Sequence, residues 1–201
     1  EKAKLEQEMR IAAEIQQALL PQPRVNLGFV EAAAASIPCR SIGGDFFDYL
    51  DDPSTTFGFT LGDVAGKGPP AALMSAMMQG MFAAQAQYAD GPASAVTHMN
   101  KALCRRGLES RFVTLMFGIM QSNGSLTYCN AGHNPPFVLG RSRVRRLEEG
   151  GPVVGLLEFA PYAQEVVQLD PGDTIVMFSD GVSEALNAAG EEFGDERLEE
   201  V

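Results

Sequence analysis

The chain has 201 residues, 45% of them hydrophobic and 20% charged, enough to bury a core and of a length expected for one domain of ordinary globular type. Its 15 Lys and Arg stand against 26 Asp and Glu, a formal charge of −11 that repels phosphate backbones and anionic lipid and excludes a basic-groove, nucleic-acid-binding function. No apolar run approaches the roughly 20 residues of a membrane helix, and Glu1 to Leu20 is charged throughout rather than signal-like, so no membrane insertion is expected.

Glu1 to Leu20 has no Gly or Pro and spaces Leu5, Met9, Ala12, Ile15 and Leu19 near 3.5 residues, which predicts an amphipathic helix ended by Pro21 and Pro23. Residues 1–22 read as a linker helix beside a domain at 23–201, and two readings of it stand side by side: a flank packed on that domain, or a coiled-coil connector leading to a further module. Phe57, Phe59 and Leu61 then alternate with Gly58, Thr60 and Gly62, the period of a half-buried strand, and Asp63 follows in the parity of the phenylalanines. Pro69-Pro70 opens a helix over about 71–87 whose Met74, Met77, Met78 and Met81 read as core packing. A second helix covers about 93–108. Apolar 112–120, the turn Ser122-Asn123-Gly124 and 126–129 form a hairpin. Strands at 137–139, 144–147, 164–169 and 174–179 complete the chain, the apolar Ile175 to Phe178 suggesting cover on both faces. Strands, two adjacent helices, then more strands predict an antiparallel α+β architecture of two stacked sheets with helices outside. Cys39, Cys104 and Cys129, odd in number and without C-x-x-C spacing, read as reduced core residues of a cytoplasmic protein.

Three acidic-glycine motifs are candidates for chemistry: Gly43-Gly44-Asp45, Gly62-Asp63-Val64-Ala65-Gly66-Lys67-Gly68 and Ser179-Asp180-Gly181. Carboxylates gathered in one place need compensating charge, and oxygen ligands of this kind suit Mg²⁺ or Mn²⁺. Each Asp taken singly also reads as a turn or helix cap. Gly62 to Gly68 is no phosphate-binding P-loop, because Leu61 stands where its first glycine belongs and Gly68 where Ser or Thr belongs. His133, in Ala131-Gly132-His133-Asn134-Pro135-Pro136, reads as a structural turn histidine; the second histidine, His98, falls in a predicted helix, so spacing points to no two-histidine site. Side chains three apart on a strand point to opposite faces, so only one of Asp45 and Asp48 can share the face of Asp63, and Asp48 reads as structural.

Six ordered segments resemble the SpoIIE/RsbU-type bacterial serine/threonine phosphatases, a branch of the metal-dependent protein phosphatase 2C superfamily. They are Ile15-Gln16 with Leu19-Leu20-Pro21, Ile42 to Asp48, Leu61 to Gly68 with Ala71-Ala72-Leu73, Arg111 to Leu115, Asn130 to Pro136, and Phe178 to Ala185. The resemblance implies an α-β-β-α sandwich of two antiparallel sheets flanked by helices, with two Mn²⁺ or Mg²⁺ ions at one edge, hydrolysing phosphoserine or phosphothreonine on a regulatory protein such as an anti-sigma-factor antagonist. It implies that Asp63 bridges both ions, that the Val64 carbonyl and Asp180 are further ligands, that Asp45 binds a metal or orients its waters, and that Arg40 grips the substrate phosphate. Two ions roughly 3.5–4 Å apart sharing a hydroxide would attack phosphorus in line, with no phosphoenzyme. None of the three cysteines has the glycine-rich cradle of a thiolate phosphatase. The family continues beyond Phe193-Gly194-x-x-Arg197-Leu198 to a helix and a strand bearing another ligand aspartate, so the expected fold lacks its last helix and strand, and Asp195 is a poor substitute for that ligand. The resemblance further implies an upstream sensor domain and a homodimer through the N-terminal helix. The alternative reading is a non-catalytic partner-switching module of the same fold.

Overall fold

The computed structural model describes residues 2–39, 41–52, 55–86, 89–107, 111–141 and 144–200. Helix α1 (Lys2–Leu19) leads to a small ribbon, β1 (Arg24–Asn26) and β2 (Glu31–Ala33), and then to β3 (Phe46–Asp52) and β4 (Thr56–Val64). Helices α2 (Pro69–Gln85) and α3 (Pro92–Cys104) follow in succession, each opened by a glycine at positive φ (Gly68, 74°; Gly91, 97°) with proline in the first turn, where its missing N–H has no intrahelical acceptor to lose. The remaining strands are β5 (Val113–Gln121), β6 (Ser125–Ala131), β7 (Phe137–Leu139), β8 (Val144–Arg146), β9 (Gly150–Gly151), β10 (Glu165–Gln168) and β11 (Thr174–Val176), followed by the short helices α4 (Asp180–Ser183) and α5 (Asp195–Glu200).

The expected α+β architecture is present. A six-stranded sheet runs β10-β6-β5-β4-β3, antiparallel except that β9 pairs in parallel with β6, so the larger sheet is mixed. A three-stranded antiparallel sheet, β11-β7-β8, and the β1-β2 ribbon are separate from it. Strand alternation divides the core in two. One cluster packs Val64, Val113, Leu115 and Phe117 against Met74, Met78 and Phe82 of α2 and Val96, Met99 and Leu103 of α3. The other packs Phe57, Phe59, Met116, Leu126 and Tyr128 of the large sheet with Val138 of β7, and Ile175 of β11 joins its margin. The layers are therefore helices, large sheet and small sheet. The methionines of α2 serve packing as expected: Met74 and Met78 are buried, and Met77 and Met81 lie against the same cluster.

Three details differ from the sequence reading, and a fourth lies outside the described residues. The strand expected over 174–179 ends at Val176, because the chain leaves the ladder to deliver Ser179 and Asp180 to the end of the large sheet. Ile175 and Val176 are half-buried rather than covered on both faces. Cys129 is a core residue, whereas Cys104 is half-buried and Cys39 is exposed; all three are free thiols. The predicted tail of the second helix at Leu108 lies outside the described residues.

Helix α1 forms where its periodicity places it, yet none of its residues is buried. Leu5, Ile11, Ile15 and Leu19 are exposed, while Gln16 turns inward and its amide makes a two-way clasp on Gly43, donating to the carbonyl (2.8 Å) and accepting from the N–H (3.1 Å). Among the described residues no helix is long and apolar enough to cross a membrane.

Candidate metal centre

The site grows out of one face of the large sheet. Along β4 the side chains of Phe57 and Phe59 point between the sheets, and Asp63 continues that row to the strand's end. Phe46 pairs with Gly62, so the residue before β3, Asp45, stands opposite Asp63 one step further along the ladder. On the other flank Asp63 pairs with Thr114 of β5. Asp48 takes the opposite face, as parity requires, and its carboxylate accepts a hydrogen bond from the N–H of Tyr49 (2.8 Å). Its partial burial raises its pKa from the ordinary carboxylate value, and that backbone bond opposes the rise.

Close backbone approach shapes the acidic end. A Cβ built on Gly44 would stand 2.7 Å from the Val64 carbonyl oxygen and 2.9 Å from Asp63 Oδ1, so glycine leaves open a pocket lined by those two oxygens. The chain's return from the small sheet closes the far side. Ser179 donates its hydroxyl to Asp45 Oδ2 at 2.8 Å, tying together segments 134 residues apart, and Asp180 follows at the start of α4. Burial lifts the Asp63 carboxyl to a pKa of about 7; the adjoining Asp45 carboxylate adds to the rise through a shared hydrogen bond and its charge, and Asp180 through its charge.

His133 borders the same space. Its main chain forms the expected turn, held by Asn130, whose Oδ1 accepts from the His133 N–H (2.8 Å) and whose amide donates to the carbonyls of His133 (3.0 Å) and Leu147 (3.2 Å). The imidazole is 4% exposed; Nδ1 meets Thr114 Oγ1 at 2.8 Å, and Nε2 is buried with no hydrogen-bond partner among the described residues. Burial lowers its pKa to about 4, leaving the ring neutral even though the charges of Asp45 and Asp180 and the nearby Phe178 main chain favour protonation.

Asp45, Asp63, the Val64 carbonyl and Asp180 are thus brought to one end of the large sheet. Arg40 lies outside the described residues. Asp195 is engaged elsewhere, paired with Arg146 at 3.3 Å. Ser179 and Thr114 were not legible as site residues and His133 read as a structural turn histidine; all three lay inside segments already singled out, but only strand register and chain return put them beside the acids. Among the described residues no three His, Cys, Asp or Glu side chains enclose a cation by themselves. The donors nevertheless fit a hard divalent ion that keeps part of its water shell: two carboxylates in contact, a third beside them, and a carbonyl oxygen facing a pocket that a Cβ would fill.

Comparison with known proteins gives the family and the fold. The family described as Stage II sporulation protein E (SpoIIE) matches residues 53–201. Protein IcfG of Synechocystis sp. is 28% identical over 223 residues, and the phosphoserine phosphatase RsbU of Bacillus subtilis is 29% identical over 189 residues. These alignments take in 96% and 92% of this chain but only 35% and 56% of the relatives' own lengths. In three dimensions the chain is similar to the SiaA-PP2C domain of Pseudomonas aeruginosa, with a TM-score of 0.83 at 22% identity, covering 99% of this chain and 81% of that one. The RsbU and RsbW domains of a Mycobacterium tuberculosis protein align with a TM-score of 0.61 at 26% identity over 75% of this chain and 42% of that one. The fold is that of PP2C domains, and with three quarters of its sequence matched by the family description the chain belongs to the SpoIIE family.

Proposed function

We propose that the chain is the phosphatase part of a partner-switching system, a Mn²⁺- or Mg²⁺-dependent hydrolase of phosphoserine or phosphothreonine on a regulatory protein such as an anti-sigma-factor antagonist, working in the cytoplasm. The observation that carries this reading is the junction of Asp45 with Asp63 beside Asp180, over a pocket kept open by Gly44. When bound there, divalent cations supply charge to neutralise a phosphoryl group and to make water a nucleophile near neutral pH. In this reading Asp63 would serve both ions, the Val64 carbonyl and Asp180 would add ligands, and Asp45, whose carboxylate accepts from the Ser179 hydroxyl, would hold a metal or its waters. Arg40 is assigned to the substrate phosphate. A thiolate route has no support: burial pushes the Cys129 thiol up to about 12, and it raises that of Cys104 as well.

In this reading residues 1–22 form the connector to an upstream sensor domain and 23–201 the phosphatase domain. The exposed Leu5, Ile15 and Leu19 of α1 then face a second copy of the chain in a parallel pair. Glu at these three positions should convert a dimer to monomer in analytical ultracentrifugation, and a monomeric parent protein removes the pairing.

The decisive experiment is release of phosphate from a phosphoserine-bearing protein with Mn²⁺ or Mg²⁺ present and absent. Cation-dependent turnover is expected, and Asp63→Asn should reduce it by more than about 100-fold, beyond the range for residues outside the ligand shell. Binding of the regulator with no hydrolysis by the parent protein would establish the non-catalytic module instead.

A further inference from the structure

The loop between β9 and β10 keeps large apolar side chains in water: Leu156, Leu157 and Phe159 are 58%, 57% and 86% exposed. Apolar side chains grouped in this way on a fixed loop mark a contact surface. The loop is fixed. Asn100 of α3, fully buried, donates its amide to the carbonyls of Leu157 (2.8 Å) and Glu158 (3.2 Å) and accepts from the Gly155 N–H (2.8 Å). The Ala160 N–H closes a turn on the Leu157 carbonyl (3.1 Å), and Arg105 pairs with Glu158 at 3.9 Å. With its main chain tied down at both ends, the loop has no means of withdrawing the three side chains from solvent.

Its place is the rim of the acidic site. On β5, Thr114 pairs with Asp63, and the neighbouring Val113 pairs with Val64 on one side and with Val154 on the other. Gly155 follows directly: a Cβ built there would stand 3.4 Å from the Arg111 carbonyl oxygen. At the other end of the same arginine, Nη1 is 3.5 Å from a Cβ built on Gly66, in the turn that leaves Val64. Arg111 therefore connects the apolar loop to the acidic end of β4. It is half-buried, and its guanidinium has no ion pair or hydrogen bond among the described residues.

A protein that brings a phosphoserine to the acids lays the residues beside it across this rim. We propose that Arg111 and the 156–159 loop are the docking surface for the segment of the substrate protein that flanks the phosphoserine, the loop receiving a large apolar side chain and Arg111 an acidic one. Continuity with the acidic end selects this occupant, and so does a cation without a partner where an anionic segment arrives. The inference rests on the phosphatase reading of that site.

The test uses pairs of synthetic phosphoserine peptides hydrolysed in the presence of Mn²⁺. One pair carries Leu or Ser at positions within about six residues of the phosphoserine, a reach of about 20 Å in extended chain; the other carries Glu or Gln in the same positions. The parent protein should favour Leu over Ser by about tenfold or more in kcat/KM and Glu over Gln by about threefold. Leu156→Ser combined with Phe159→Ser should abolish the Leu preference and keep the Glu preference, with hydrolysis of the Ser peptide showing that the variant is folded. Arg111→Gln should do the reverse. Equal rates on the Leu and Ser peptides in the parent, or a Leu preference that survives in the double variant, overturn the inference and leave the phosphatase reading standing. A Glu preference absent from the parent or intact in Arg111→Gln does the same. So does a dimer that the double variant turns to monomer with the Leu preference intact, which assigns the loop to a second copy of the chain. A parent that hydrolyses none of the peptides overturns the phosphatase reading and the inference together.

Discussion

The two faces of the six-stranded sheet are built from the same strands and do different work. On the helix side, Val113, Leu115 and Phe117 of β5 are sealed to 1% exposure or less, and Phe82 of α2 meets Phe117 edge-on with ring centroids 5.0 Å apart. On the other side Met116 and Leu126 are equally sealed, but Phe57, Phe59 and Met120 retain 3–9% exposure, and Ile175 of the small sheet and Met177 just beyond it, themselves half-buried, pack at the margin. Each strand on that second face changes character along its length: Tyr49 and Phe47 give way to Asp45 on β3, Phe57 and Phe59 to Asp63 on β4, Met120 and Met116 to Thr114 on β5. A face whose apolar floor opens at one rim can hold carboxylates half in water and half in protein, which is the environment that lifts Asp63.

The largest effect should come from the sealed face. Phe82→Ala removes a fully buried ring and should cost about 3–5 kcal/mol in denaturant unfolding, whereas Ile175→Ala, half-buried, should cost less than about 2 kcal/mol. Equal losses would erase the distinction between the faces. At the acidic rim the sensitivity passes from stability to ion binding. Gly44→Ala places a methyl group 2.7 Å from the Val64 carbonyl and should weaken Mn²⁺ binding in calorimetry by about 10–100-fold. Gly80→Ala, with open space around it on α2, should instead stabilise the protein by about 0.5–1 kcal/mol.

Proton linkage sharpens the same contrast. The pKa of Asp63 rises from 3.8 to about 7 on folding, so the cation-free native state holds a proton that the unfolded chain has already lost. Its contribution to stability is complete below the unfolded value and is lost as pH rises through 7. Cation-free protein should therefore have a falling urea midpoint between pH 5 and pH 8, and Asp63→Asn should flatten that fall. Added Mg²⁺ competes with the proton, so its affinity should drop about tenfold per pH unit below 7. The smallest effect belongs to Asp48, which faces the helices: Asp48→Asn should leave phosphate release within twofold of the parent. A loss comparable to that of Asp45→Asn would mean that the two faces are not separate.

Local pattern was enough for most of the elements. Alternation through Phe57, Phe59 and Leu61 predicts β4 and carries Asp63 onto the correct face, and parity alone separates Asp45 from Asp48, because a strand repeats every two residues whatever it packs against. Pro69-Pro70 places the start of α2, since φ and the missing N–H are properties of the residue itself. The β1-β2 ribbon escaped notice because Arg24–Asn26 and Glu31–Ala33 are short and, unlike Phe137–Leu139, hold no run of large apolar residues. The acidic motifs and their order pointed to divalent-cation chemistry, yet each aspartate alone read more readily as a turn or helix cap.

What the tertiary structure decided is which groups meet. Ser179 reaches Asp45 across 134 residues, and His133 reaches Thr114 only because β6 lies beside β5 in a particular register. Periodicity reports the face of an element and is silent about the neighbour across it. The raised pKa of Asp63 is likewise no property of an aspartate followed by valine; burial at the sheet end and a second carboxylate set it there. The sequence by itself determined the strands, the faces and the acids, because these follow from bonded geometry and side-chain chemistry. Sheet register and the return of the chain through Ser179 and Asp180 turned them into a site, because contact between distant residues is settled by packing of the whole fold.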